Sequence, residues 1–79
     1  MLTGRTQHGK PLVCLMRTVV AKRFIGGVRI SVLTTDKEEM RLGAGMHLDD
    51  FEVGSTYFLQ TVKFNFKQYQ YQVVDFIKP

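Results

Sequence analysis

The sequence predicts an all-β protein whose five strands close into a small barrel. Three observations lead there. Five segments carry strand patterning, no stretch keeps a helical apolar period for a useful length, and the 79 residues make a single domain. A chain of this size buries only about 60% of the surface it exposes when unfolded. An open five-stranded sheet would leave one face wet, and closing the sheet on itself buries that face and removes exposed edges.

Each element has its own justification. Residues 1–10 are polar, include Gly4 and Gly9, and read as a flexible N-terminal arm ahead of the barrel domain at 11–79. Residues 12–24 are rich in Val, Leu and Thr without clean alternation, as expected of a strand covered on both sides or bent between two sheets. Gly26 and Gly27 follow, and paired glycines supply the positive φ that a tight hairpin needs. Across residues 28–35, Val28, Ile30 and Val32 point one way and Arg29 and Ser31 the other. After the polar turn at 34–37, residues 38–42 form a short third strand with Met40 and Leu42 inward; a helical turn is the rival reading. Residues 46–53 are acidic and hold one helical turn capped by Asp49 or Asp50. The last element is a hairpin of 56–66 and 69–77 with Lys67-Gln68 at its tip, a pair without a strong turn signature. A two-residue tip sets Phe66 opposite Tyr69, Phe64 opposite Tyr71 and Val62 opposite Val73, giving one aromatic and one polar face.

Charge is unevenly spread. The net charge is +4, and residues 1–29 hold Arg5, Lys10, Arg17, Lys22, Arg23 and Arg29 with no acid. The acids cluster at 36–52, and Lys63, Lys67 and Lys78 return the last third to basic. Such a balance fits a polyanionic partner. Catalytic groupings are sparse, so no enzyme is expected, and no cofactor or metal. His8 and His47 are the only histidines and stand in unrelated contexts. Asp49 and Asp50 point apart on an extended chain and suit a cap better than magnesium. The glycines lack the spacing of a phosphate loop. Cys14 is the single cysteine, so no internal disulfide forms. Its apolar neighbours Val13 and Leu15 predict a buried, unreactive thiol. The lack of disulfides, of an apolar span and of an apolar leader leads us to expect a complete, cytoplasmic protein with no membrane association.

The order of long bent strand, Gly turn, second strand, short third strand, irregular connection and final hairpin resembles the OB-fold, a five-stranded Greek-key barrel. The stretch Leu48-Asp49-Asp50-Phe51-Glu52-Val53-Gly54-Ser55-Thr56-Tyr57-Phe58-Leu59 resembles the entry into its fourth strand. The resemblance covers residues 11–77 at the level of pattern, and small tailless phage or viral single-strand-binding proteins are the nearest analogy. It implies a ligand lying across strands 2 and 3, held by the loops between strands 1 and 2 and between strands 4 and 5. Those positions carry Lys22, Arg23 and Phe24 in the first loop, and Arg29, Ser31 and Arg41 on the outer face of strands 2 and 3. Lys63, Phe66, Lys67, Tyr69 and Tyr71 come from the second loop and its strands. Cations neutralise phosphates and rings stack on bases, so the implied partner is single-stranded nucleic acid, DNA ahead of RNA.

The plainer readings stand beside it. Phe58, Phe64 and Tyr71 serve equally well as core rings, whereas Phe66 and Tyr69 lie near a tip with little core to fill. The alternative function is a protein-interaction module, an inhibitor or accessory subunit, docking through the aromatic C-terminal hairpin. A thin core with more apolar side chains than one barrel hides predicts a homo-oligomer, a dimer.

Overall fold

A computed structural model describes residues 12–66 and 69–79, and for residues 64–66 the backbone alone. It contains β1 (Leu12–Ile25), β2 (Ile30–Thr35), β3 (Glu39–Leu42), β4 (Thr56–Phe66) and β5 (Tyr69–Ile77), with one 3₁₀ turn at Leu48–Asp50. The strands close into a barrel in the order β1-β2-β3-β5-β4. Every neighbouring pair is antiparallel except β3 with β5.

The missing alternation in β1 has a structural cause. Leu12–Thr18 pairs with β4, Val19–Ile25 pairs with β2, and the register shifts between Val19 and Ala21 where the strand bends from one sheet to the other. Val19 sits fully buried at that bend. The short third strand is a strand rather than a helical turn, with Met40 and Leu42 buried as the alternation requires. They join Val19, Leu33, Phe51, Tyr57, Leu59 and Val73 in the main core. Phe51, Tyr57 and Phe76 stack edge-on or tilted at one end, with ring centroids 4.5–5.9 Å apart. The buried Thr61 hydroxyl donates to the Val13 carbonyl at 2.8 Å, so its polar atom is satisfied.

Four expectations need correction. The hairpin pairs Phe66 with Tyr69 as expected, but Lys63 then faces Tyr71, Val62 faces Gln72 and Thr61 faces Val73. An extra residue on β4 between Lys63 and Phe66 slips the register, and a second irregularity at Gln60/Thr61 restores it. The clean split into an aromatic and a polar face is therefore lost. The β1–β2 turn places its positive φ on Arg29, at 56°, and not on Gly26 or Gly27, because the connection is a four-residue turn. The 3₁₀ turn is capped at His47, with the Asp50 carboxylate accepting the His47 amide at 3.0 Å. Cys14 is exposed, since alternation along β1 turns Val13 and Leu15 to the barrel side and Cys14 outward.

β3 and β5 close the barrel through Arg41 with Gln72 and Leu42 with Val73, after which the Gly43 amide donates to the Val73 carbonyl at 2.7 Å. A Cβ on Gly43 would lie 2.8 Å from that same carbonyl oxygen, closer than any real contact. Gly43→Ala should therefore cost about 1–3 kcal/mol. Gly27→Ala, where a Cβ would meet nothing within 4 Å, should be neutral. Paired urea melts separate the two, and equal midpoints would show that the seam tolerates spreading.

Candidate nucleic-acid interface

Opposed residues in a ladder share a face, so the register sorts the candidate side chains. Val32 lies between Arg23 on β1 and Arg41 on β3, which puts both arginines on the outer face of the β1-β2-β3 sheet. Beneath them lies a second apolar cluster of Ile30, Val32 and Tyr69 with Ile25 against it. Ser31 does not join this face. It alternates with Val32, pairs with Phe24, and belongs to the side of Leu33 and Thr35 that turns into the core.

The rings divide differently from the sequence reading. Tyr69 is only 2% exposed, because it folds onto Ile30 and Val32 and supplies the cover for that cluster. Tyr71 is half-buried against the main core. Phe58, read as a core ring, is instead exposed on the outer face of β4. Phe24 is 57% exposed near the end of the β1–β2 ribbon, with Arg29 exposed in the turn beyond it. Phe66 contributes its backbone pairing with Tyr69, and Lys67 lies outside the described residues. Lys63 is exposed on β4.

The cations differ in how they are held. The Lys22 ammonium donates to the Leu48 and Phe51 carbonyls at 3.2 and 2.9 Å, tying β1 to the 3₁₀ turn. The Leu48 carbonyl already accepts from the Phe51 amide at 3.1 Å, so the ammonium adds a second bond there, and Lys22 serves the fold. Arg23 keeps half its side chain exposed while pairing with Glu39 at 3.4 Å, its guanidinium 3.5 Å from the Tyr69 hydroxyl. Glu39 also accepts from the Thr34 hydroxyl at 3.0 Å. Sequence reasoning missed this carboxylate because no spacing links Glu39 to Arg23; the β1-β2-β3 register brings them together. Arg17 pairs with Glu38 at 2.8 Å, and that hydrogen bond holds the guanidinium pKa above its ordinary value.

No protein-family model, curated protein or solved structure matches this chain. Its chemistry is therefore read from its own side chains. Among the described residues no three His, Cys, Asp or Glu side chains gather as metal ligands would, and no helix is long and apolar enough to cross a membrane.

Two substitutions test this division of labour. Tyr69→Ala should cost about 3–5 kcal/mol by opening the outer cluster. Lys22→Met should cost about 1 kcal/mol by removing the ammonium from the Leu48 and Phe51 carbonyls. Thermal melts that leave Tyr69→Ala at the wild-type midpoint would make Tyr69 a surface ring.

Proposed function

We propose that the protein binds single-stranded nucleic acid along the outer face of β2 and β3, around the ribbon formed by the ends of β1 and β2. The observation that carries this reading is the joint exposure of Arg23, Phe24 and Arg29 on that ribbon. Arg23 presents a guanidinium on one face, Phe24 a ring on the other, and Arg29 a second cation at the turn. A single strand needs both partners: cations for phosphates and a ring face for an unpaired base. Arg29 supports the reading further, since a non-glycine residue at positive φ is uncommon and such conformations gather at binding sites. The sequence resemblance to OB-fold single-strand binders adds to the reading, and the chain is a closed five-stranded sheet. DNA is favoured over RNA on that resemblance alone.

Glu39 sets the cost of binding in this scheme. A phosphate approaching Arg23 must compete with a carboxylate already at 3.4 Å. Docking through the C-terminal hairpin is the weaker reading, because its rings Tyr69 and Tyr71 are occupied in packing.

Binding of labelled oligonucleotides at several salt concentrations tests the proposal. Single strands should bind more tightly than duplex, with affinity falling steeply as salt rises. Arg23→Ala should reduce the slope of log K against log salt by about 0.7. Phe24→Ala should cost about 1–3 kcal/mol and leave the slope unchanged. Glu39→Gln should tighten binding, since it removes the competing charge. Equal affinity for duplex and single strand, or a Phe24→Ala protein that binds normally, would contradict the proposal.

A further inference from the structure

The turn joining β1 to β2 holds two glycines that the fold itself does not require. Gly26 and Gly27 are the first two residues of the exposed turn at 26–29. Neither takes a left-handed φ, which falls instead to Arg29. A Cβ on Gly27 would meet nothing within 4 Å, and one on Gly26 would touch the Phe24 ring at an ordinary 3.8 Å. Alanine therefore fits both positions on the same backbone, without the entropy that glycine loses on folding. Other glycines of the chain differ. Gly43 is pressed against the Val73 carbonyl, and Gly45 and Gly54 take φ of 86° and 95°. Among the described residues, no hydrogen bond holds the amides of Gly26 and Gly27.

We infer that the bare main chain of Gly26 and Gly27 receives the sugar-phosphate backbone of the bound strand, an inference that rests on the single-strand reading above. A glycine demanded by neither φ nor packing belongs where another molecule must approach the main chain more closely than a Cβ allows. The neighbours define the chemistry of that molecule. Phe24 precedes the pair and Arg29 closes the turn, both exposed. A base stacked on the ring and a phosphate at the guanidinium are joined by sugar and phosphate, and the glycines lie between those two side chains. Their amides are donors that need an acceptor, and phosphate oxygens accept readily from main-chain N–H groups. The turn's strain fits the same purpose. A glycine at position 29 would relieve the φ of 56°, yet the chain keeps a guanidinium there and spends its glycines on positions without strain.

Gly27→Ala and Gly27→Leu test this with a labelled single-stranded oligonucleotide, each variant also being melted in urea. Gly27→Ala should melt at the wild-type midpoint or slightly above it, since the new side chain fits the native backbone. The same variant should bind about tenfold more weakly, because a methyl group is forced into a close contact. Gly27→Leu should bind more weakly still. A Gly27→Ala protein that binds as wild type, while Phe24→Ala binds weakly, would overturn the inference and leave the single-strand reading standing. So would a Gly27→Ala protein that melts well below wild type, since the glycine would then be a requirement of the fold. A wild-type protein that binds no single strand would remove both the inference and the reading beneath it.

Discussion

A strand of 14 residues gives an edge to both β2 and β4, and it does so by bending at Val19. Barrel closure rests on that bend. Before it, β1 carries the apolar outer row with Cys14 and Met16; after it, β1 carries Lys22, Arg23 and Phe24. The same distortion that closes the sheet therefore places these two sets of side chains against different strands. The Val19 carbonyl accepts from the Gly54 amide at 2.7 Å and its amide donates to Ser55, so the bend is also tied to the entry of β4. Gly54 takes φ of 95° there, a conformation that side chains disfavour.

Charged groups are assigned to two tasks. Lys22 and Arg17 hold the fold, the first on carbonyls of the 3₁₀ turn and the second on Glu38. Arg23 and Arg29 remain at the surface of the β1–β2 ribbon. A basic composition alone does not distinguish these tasks, since both use the same residue types. Half-exposed pairs such as Arg23–Glu39 contribute little to stability, so their significance lies in what a ligand must displace.

The sequence carried the architecture well for physical reasons. Period-two burial in β3, with Met40 and Leu42 inward, survives because a four-residue strand has no room for a bulge. The bounds of β4 and β5 follow from Gly54 and the polar tip. The hairpin register was harder, because a bulge costs one residue and leaves no compositional mark; it moved Val62 from Val73 to Gln72. Tyr69 was misread as a ligand ring because it lies next to a hairpin tip, whereas a second apolar cluster outside the barrel was waiting for it. Cys14 was misread for the opposite reason: its apolar neighbours were taken as a sign of burial, and its own side of the strand faces outward.

The central proposal is that single-stranded nucleic acid binds at the β1–β2 ribbon, where Arg23, Phe24 and Arg29 are exposed together. Backbone amide shifts recorded by nuclear magnetic resonance during titration with a short single-stranded oligonucleotide test it most directly. The account predicts perturbations centred on Arg23, Phe24, Arg29 and the outward positions of β2 and β3, with Met16, Phe58 and Ile77 unmoved. Perturbations centred on the Met16–Phe58–Ile77 row, or none at saturating oligonucleotide, would contradict it.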